Sequence, residues 1–497
     1  MRRPSSAWEF LTRAPLLPAL AAGLAWLLRY WHDLGLDLGR TPEWAGWFDQ
    51  SRYIASARAL ARFDFAAGAH WYPPAYPLVA SSFTALIPAQ PFFLPDLILF
   101  MATAAAFIPA MRPLGMGPWL AAAAFALSTL ALAPAAGLWI EPWTTTLSAA
   151  LIWALIAVVA RMIAADHPPS PLLLIAAGAL AAAPPLVRPA DGLVGICALA
   201  VAAAVGARRG LVTPRRIGLV LLGGVLVVLP YALLYLAIYG FRLSDYVRSG
   251  AAQGFAFSDL PWKAYVLLVT PQPWFPGDRS LVETLPFLWP GCAGLVTLAV
   301  VGTSRQRQVL ALIATVAIPF VAIQLAYTDF QPPGLWRFQN AHYLKWLFPL
   351  GGAGLWFWLR AFGVWRHWAV AMAATVALGA LACLRILPVA VGEDRPARML
   401  LFEGNLLRHW QEAYFASAVI RDDAGTLNNV GRFHQVPDAR GERALAVARP
   451  FAGHARRLDP GESPPYTGWQ APYARYGERI SIGAPCWLDR PACALPR

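Results

Sequence analysis

The chain has 497 residues, of which 58% are hydrophobic and 13% charged, and its formal net charge is +13. A soluble protein of this length carries roughly 25% charged residues, so the composition excludes an ordinary soluble fold. The length predicts a second region beside the main body. The excess of arginine does not indicate nucleic-acid binding, because many arginines lie in short loops between apolar runs and the sequence has no zinc-finger, basic-helix or aromatic–basic RNA motif.

Twelve apolar runs follow one another along the chain. Because backbone amides in hydrocarbon must be hydrogen-bonded internally, such runs predict membrane helices. They cover residues of about 14–31, 76–88, 92–111, 118–138, 140–160, 171–187, 190–207, 217–239, 285–303, 309–327, 343–359 and 368–389. The first run is long for a signal peptide and no small-residue cleavage site follows it, so we interpret it as a retained helix.

The arginines between the runs predict the orientation of the chain. They cluster at 208–216, 305–307 and 360–366, and placing these clusters in the cytoplasm directs the tail after about 390 outward. Twelve crossings would put this tail on the same side as the basic N-terminus, whereas the arginines put the two on opposite sides. A count of 11 or 13 removes the conflict, and the short run 76–88 is the candidate for a re-entrant segment.

We therefore predict an all-α polytopic membrane protein with about 11–13 transmembrane helices. Residues 1–389 form the helical body, and residues 390–497 form a small C-terminal external domain. The first external loop covers about 32–75, and its pattern from Trp44 to Phe63 predicts an amphipathic helix at the membrane interface.

The cysteines fall into two groups. Cys486 and Cys493 lie in the polar tail and are a candidate disulfide if the tail faces an oxidising compartment. Cys197, Cys292 and Cys383 lie in apolar runs, where a cysteine is expected to be an inert packing residue.

An acidic residue in the first external loop is the main candidate for chemistry, since acids beside the bilayer are costly and often functional. In the segment Trp47-Phe48-Asp49-Gln50-Ser51-Arg52-Tyr53, Asp49 and Tyr53 share a helix face. Trp47 and Phe48 could shield one side of Asp49 and raise its pKa towards that of a general base. The alternative is a solvated acid on an interfacial helix.

Four further motifs follow in the same chain. His70-Trp71-Tyr72-Pro73-Pro74-Ala75-Tyr76-Pro77-Leu78 ends the loop and starts a helix, or is simply a membrane-entry turn with interfacial aromatics. The others are Glu141-Pro142, Arg188-Pro189 and His342-Tyr343-Leu344-Lys345, each at the start of an apolar run. Glu141 could merely favour a helix dipole, Arg188 could be a snorkelling residue, and Lys345 could be a helix-end anchor.

Taken in this order, the loop acid, the Tyr-Pro-Pro-x-Tyr-Pro-Leu segment and these later motifs resemble the GT-C superfamily of membrane glycosyltransferases over residues of about 10–360. More narrowly, they are similar to the protein O-mannosyltransferase and aminoarabinose transferase group. The resemblance implies a multi-helix body roofed by interfacial helices, a polyprenyl-monophosphate sugar donor and inversion at the anomeric carbon. It gives Asp49 the position of the family's catalytic acid. Gln50 departs from the Asp-Glu pair of many relatives, which puts a role needing two carboxylates in doubt.

On this interpretation Asp49 is the base that deprotonates an acceptor, which could be a lipid, a glycan or a protein. The leaving phosphate needs cationic partners, and the candidates are Arg188, Arg337, His342 and Lys345. The candidates that line the substrate pocket are Gln50, Tyr53, Tyr72, Tyr76 and Glu141.

Neither a cofactor nor a metal is required, since arginine and lysine can neutralise a monophosphate; Asp33 and Asp37 would be the first ligands if a metal binds. The expected location is a bacterial inner membrane, with the site and the tail facing the periplasm. Two other functions stay open. A transporter or flippase of lipid-linked saccharides would favour charged or broken helices at the midplane and paired halves, and the sequence shows no repeat. A catalytically inactive GT-C-like scaffold is suggested by Gln50.

Overall fold

The computed structural model of the protein describes most of the helical part of the chain and four short strands. The described residues are 15–35, 37–253, 255, 257, 260–271, 278–327, 330, 335–336, 338–384, 399–402, 433–437, 443–447 and 455–457.

The described part is built mainly from helices. The α-helices are α1 (Leu16–Leu34), α2 (Phe48–Ala61), α3 (Ala75–Ser81), α4 (Phe93–Met111), α5 (Pro118–Leu130), α6 (Ala133–Ile140), α7 (Thr144–Ala164), α8 (Pro171–Ala182), α9 (Pro184–Val187), α10 (Gly192–Arg208), α11 (Pro214–Tyr239), α12 (Asp245–Gln253), α13 (Leu260–Ala264), α14 (Leu281–Thr284), α15 (Leu288–Val301), α16 (Ser304–Ala326), α17 (Phe348–Ala361) and α18 (Trp365–Cys383). The 3₁₀-helices are Glu43–Gly46, Ala67–Ala69, Arg112–Leu114, Pro189–Asp191 and Asn340–Leu347, and Tyr265–Val269 is a π-helix.

By length and composition, six helices in the described residues can cross a membrane. They are Phe93–Leu114, Thr144–Ala164, Pro189–Arg208, Pro214–Tyr239, Ser304–Ala326 and Trp365–Cys383. A seventh span results if α5 and α6, which are bent by 96° at their junction, are taken as one. The prediction of a helical membrane protein is confirmed at this level, but these helices do not reach the predicted 11–13 crossings.

The shortfall arises where apolar runs fold as short or broken helices. The run 76–88 forms only the seven-residue helix α3, which is too short to cross hydrocarbon. The run 118–138 is interrupted between Leu130 and Ala133, next to a proline that cannot continue a helix. The run 171–187 likewise ends its main helix before a Pro-Pro pair. Hydropathy counts apolar residues and does not register such breaks.

Glycines set the closest contacts between membrane helices. A Cβ on Gly178 of α8 would lie 1.8 Å from the carbonyl oxygen of Val220 in α11, and a Cβ on Gly223 would lie 1.9 Å from Ile175 O. The same contact recurs between α15 and α17, where a Cβ on Gly294 would lie 1.9 Å from Gly354 O. Small residues let backbones approach where the hydrophobic effect gives no force between helices, so these glycines position the helix pairs.

The chain divides into two compact units. The first consists of Met1–Ser249, Phe287–Val321 and His342–Leu378. Its interior is aromatic: the indole N–H of Trp26 donates to Trp139 O at 3.0 Å, and that of Trp153 donates to Trp346 O at 2.8 Å. Buried indoles need such partners, so these bonds fix the depth at which the helices meet. The predicted body-to-tail boundary at 389–390 stays a prediction.

The second unit consists of Gly250–Pro286, Ala322–Ala341 and Gly379–Arg497. It contains a four-stranded sheet of β1 (Met399–Phe402), β2 (Phe433–Pro437), β3 (Arg443–Val447) and β4 (Ala455–Arg457) in the order β2-β3-β1-β4. β1 is parallel to β3 and antiparallel to β4, and β2 is antiparallel to β3 with His434 opposite Ala446. The strands of this sheet lie in residues 390–497, for which the sequence predicted a small domain and no sheet. The candidate disulfide of Cys486 and Cys493 lies outside the described residues.

We expect Gly223→Ala to destabilise the protein, because the added methyl group meets backbone of α8 that cannot move aside as a side chain does. Overpacking of this kind costs about 1–3 kcal/mol. The measurement is the thermal unfolding midpoint of the purified protein in detergent. Gly218→Ala on the same helix is the matched control, since nothing lies within 4 Å of its Cβ position. Equal midpoints for the two variants would contradict the close-contact interpretation.

Candidate active site

The loop of residues 32–75 is hydrogen-bonded at its C-terminal end to α2 and to the helical body. His70 Nδ1 lies 2.7 Å from Ser56 Oγ of α2, and His70 Nε2 lies 2.8 Å from Asp64 O. The Tyr239 hydroxyl of α11 donates to His70 O at 2.6 Å. These bonds hold the end of the loop against α2, which is the helix predicted from Trp44 to Phe63 and which begins next to Asp49.

Asp49 lies in the first turn of α2 and is partly buried. The hydroxyl of Tyr72 donates a hydrogen bond to Asp49 Oδ1. The shielding of the carboxylate by Trp47 and Phe48, whose side chains are 40% and 41% exposed, stays a prediction. Tyr72, in the next segment of the loop, contacts Asp49 directly.

Three tyrosines surround this carboxylate. The rings of Tyr53 and Tyr72 are 4.7 Å apart between centroids, and those of Tyr72 and Tyr246 are 4.9 Å apart. Burial, followed by the charge of Asp49, raises the pKa of the Tyr53 and Tyr72 hydroxyls well above the ordinary value of 10. The two phenols are therefore neutral hydrogen-bond donors at any physiological pH.

The guanidinium of Arg188 is a neighbour of Tyr246. It acts on the Tyr246 hydroxyl as a nearby charge and as a hydrogen-bond partner, and the charge of Asp49 acts on the same hydroxyl. Its Cζ lies 4.4 Å from the ring centroid of Tyr343. Asp49 and Arg188 are thus brought within electrostatic reach of one residue, in the same compact unit.

Arg188 is only 5% exposed, so it is not a snorkelling residue. Arg188 Nη1 lies 3.6 Å from Asp191 Oδ1, and Asp191 is fully buried. Among the described residues, no hydrogen-bond acceptor lies within bonding distance of Arg188 Nη1. A buried guanidinium with an N–H still to be satisfied is suited to receive an anionic ligand.

His342 and Lys345 lie one turn apart on the 3₁₀-helix Asn340–Leu347, where residues three apart point the same way. Both reach the threonines that open α7. His342 Nδ1 lies 3.0 Å from Thr145 Oγ1, and Lys345 Nζ donates to Thr146 Oγ1 at 2.7 Å and to Leu138 O at 2.8 Å. Two of the three ammonium N–H groups of Lys345 are thereby used inside the fold.

Burial, with the positive charges of Arg188 and Lys345, lowers the pKa of His342 well below 6.5. The ring stacks on Trp143 with centroids 3.9 Å apart. His342 is therefore neutral near pH 7 and offers a hydrogen bond rather than a positive charge. Of the four phosphate-binding candidates, Arg188 has the geometry of a cationic partner, and Arg337 lies outside the described residues.

Of the remaining pocket candidates, Gln50 and Tyr76 are hydrogen-bonded within the fold. Gln50 is 1% exposed and its side-chain N–H donates to Pro142 O at 3.2 Å. Tyr76 is fully buried and donates to Asp96 Oδ1 at 2.7 Å. Glu141 is partly buried at the end of α6 and interacts electrostatically with Lys345. Gln50 and Tyr76 consequently hold the loop on the body, and Tyr53 and Tyr72 are the candidates that adjoin Asp49.

Two buried acids, Tyr246 and the threonines at the start of α7 belong to the site without having been predicted as site residues. Asp191 follows Arg188 at i+3, a spacing that brings opposite charges together on one helix face. Asp96 is buried at the first turn of a membrane span. Tyr246 lies in the 241–284 loop, and no local signal connects it with Asp49.

A metal site is not supported by side-chain clustering, because the described residues contain no group of three or more His, Cys, Asp or Glu side chains able to hold an ion. Asp33 instead accepts a hydrogen bond from Arg29 at 2.8 Å, and Asp37 accepts one from the Gly39 N–H at 3.1 Å.

Comparison of the chain with protein-family models, with curated proteins and with solved structures finds no match in any of the three. The resemblance to GT-C glycosyltransferases therefore stays a prediction. The site itself combines a carboxylate, neutral phenols and a buried guanidinium, a set that can bind an anion and accept a proton close to it.

We expect the stability of the wild-type protein to fall on acidification through His342. Its folded-state pKa lies below the unfolded value, so the unfolded state binds the proton preferentially and stability is lost as the pH falls below roughly 6.5. Between pH 7 and pH 5 this loss amounts to at most about 2 kcal/mol, at about 1.4 kcal/mol per pH unit. His342→Gln should remove this part of the pH dependence, measured as unfolding midpoints at several pH values.

The control is His32→Gln, at a side chain that is 79% exposed at the end of α1. It should leave the pH dependence of the midpoint as in the wild type. If His342→Gln also leaves it unchanged, His342 does not remain neutral in the folded protein.

Proposed function

We propose that the protein is an inverting glycosyltransferase that moves a sugar from a polyprenyl-monophosphate donor to an acceptor hydroxyl at the outer face of the membrane. The observation that supports this most is the convergence of Asp49 and Arg188 on Tyr246. A base and a cation that neighbour one tyrosine meet the two needs of such a transfer, which are a group to take the acceptor proton and a group to stabilise the leaving phosphate.

In this mechanism Asp49 is the general base that takes the proton of the acceptor hydroxyl. An acceptor hydroxyl has a pKa far above 7, so its attack on the anomeric carbon is accelerated when a carboxylate takes the proton. The hydrogen bond from the Tyr72 hydroxyl to Asp49 Oδ1 orients the carboxylate that would take the acceptor proton. Inversion follows because the acceptor oxygen bonds to the anomeric carbon from the side opposite the leaving phosphate.

In this mechanism Arg188 stabilises the phosphate that leaves the anomeric carbon. As the bond from the anomeric carbon to the phosphate oxygen breaks, its electron pair remains on the phosphate, which gains negative charge. A preorganised guanidinium at this point stabilises the transition state more than the ground state. The 4.4 Å contact with Tyr343 and the pair with Asp191 keep Arg188 in place before the donor binds.

One carboxylate suffices for this chemistry. Gln50 replaces the second acid of many GT-C relatives, and its amide is bonded to the Pro142 carbonyl. A glutamine can make that structural bond without a charge, so Gln50 is compatible with an active enzyme in which Asp49 is the base.

The first test is Asp49→Asn, assayed with purified protein and a panel of polyprenyl-phosphate sugars by the release of lipid phosphate. A lost general base lowers turnover by roughly 10²–10⁴-fold, while the unfolding midpoint should stay near that of the wild type. Glu43→Gln is the matched control, an exposed acid in the same loop. Turnover by Asp49→Asn at the wild-type rate would remove Asp49 from the mechanism, and no turnover by the wild type with any donor would favour transport or a scaffold.

The second test is Arg188→Lys, assayed by inhibition with the product polyprenyl monophosphate. A lysine keeps the charge but loses the forked donor geometry, so inhibition should weaken roughly 10-fold or more, as expected for a charge-assisted hydrogen bond of about 1.5–3 kcal/mol. Arg248→Lys is the control, because Arg248 is 66% exposed and pairs with Asp245 on α12. Equal inhibition of the two variants would exclude Arg188 as the phosphate partner.

A further inference from the structure

A cavity of about 200 Å³ lies among α7, α8, α10 and α11, and its lining on α7 is at the opposite end of that helix from Thr145 and Thr146. Its lining is apolar except for the guanidinium groups of Arg209 and Arg216. Pockets for drug-sized ligands measure roughly 300–1,000 Å³, so this cavity is small for such a ligand. Its apolar walls and two guanidinium groups fit part of a hydrocarbon chain that is attached to an anionic group.

The two arginines of the lining are each hydrogen-bonded to backbone carbonyls. Arg209 Nη1 donates to Ala165 O at 3.0 Å and its Nη2 donates to Ile163 O at 2.8 Å, at the C-terminal end of α7. Arg216 Nη1 donates to Leu211 O at 2.6 Å. Each guanidinium has five N–H donors, so these bonds hold both groups at the cavity lining and leave further donors for an anion.

The surrounding charge has the same sign. Arg208 and Arg215 flank the two lining arginines, which places four positive charges within nine residues, from the end of α10 to the start of α11. Asp166, which follows the Ala165 carbonyl that Arg209 binds, pairs with Arg305 at 3.0 Å. A cluster of this kind next to membrane helices attracts anionic lipid headgroups.

The cavity walls are accessible from the bilayer. Only 22% of the span Pro189–Arg208 and 6% of the span Pro214–Tyr239 are buried within the protein. Both helices contribute lining residues, among them Ala203 and Leu221. A hydrocarbon chain from the adjacent leaflet can therefore reach the cavity without crossing the protein interior.

We propose that this cavity binds one acyl chain of an anionic phospholipid, whose phosphate is held by Arg209 and Arg216. The site is separate from the proposed donor site, because none of its residues adjoins Asp49 or Arg188 in the contacts described above. It lies at the face that the positive-inside rule assigns to the cytoplasm. The lipid is a bound ligand of the fold, and its binding does not depend on sugar transfer.

The test uses the full-length protein in nanodiscs of equal parts phosphatidylcholine and phosphatidylglycerol, with bound lipid counted by native mass spectrometry after release into detergent. The wild type should retain phosphatidylglycerol in preference to phosphatidylcholine. Arg209→Gln combined with Arg216→Gln should lower this retention roughly 10-fold or more. The control is Arg307→Gln, in the separate basic cluster at the start of α16, which should leave the retention unchanged.

A second variant keeps the arginines and fills the cavity. Ala203 lines the cavity, so Ala203→Leu should lower the retention of phosphatidylglycerol. Ala204 is exposed and lies outside the lining, so Ala204→Leu should not lower it. Wild-type retention in Ala203→Leu would overturn the acyl-chain site even if the double arginine variant fails to fold. Displacement of the lipid by glycerol phosphate at equal concentration would also overturn it, since a free phosphate would then be sufficient. Retention in Asp49→Asn should match the wild type, which separates this proposal from the proposed enzyme activity.

Discussion

Arg188 and Asp191 are both buried where a membrane span begins, and neither charge is tolerated there without the other. A single buried charge costs several kcal/mol, and removal of one partner of a buried pair typically costs about 3–5 kcal/mol. The ion pair of Arg188 and Asp191 therefore restricts the positions of the residues that contact it. Tyr343 must stack on the guanidinium and Tyr246 must face it, and these contacts connect the late 3₁₀-helix and α12 with the span that starts at Pro189.

In the loop of residues 32–75, buried polar groups likewise need partners, which here are hydrogen-bond partners. Gln50 and Tyr76 bury polar atoms that are satisfied by Pro142 O and Asp96, and the Tyr239 hydroxyl binds the His70 carbonyl. Unsatisfied, each of these groups would cost about 1–3 kcal/mol. The loop is consequently held at several points on the helical body, and Asp49 at its centre keeps one orientation towards Tyr72.

The two proposed lipid sites use arginine in different surroundings. Arg188 is buried among aromatic rings, where a charge interacts strongly with a ligand because little water competes. Arg209 is exposed and anchored by helix carbonyls at the edge of an apolar cavity. The first arrangement is suited to a reacting phosphate, whose charge changes during the reaction, and the second to a phosphate that is held and not transformed.

The sequence by itself determined the class of the protein, because apolar runs in a chain with 13% charged residues can be stable only in a membrane. It also predicted the loop helix, which the structure has as α2, and the helix start after Pro73-Pro74, since proline and helical periodicity act over a few residues. Only the tertiary structure decided which groups meet. Tyr72 and Asp49 are 23 positions apart, and Lys345 and Thr146 are 199 positions apart, so no local pattern reports their contact. Gln50 and Lys345 also bind partners that are far away along the chain. Their hydrogen bonds inside the fold could therefore not be predicted from the neighbouring sequence.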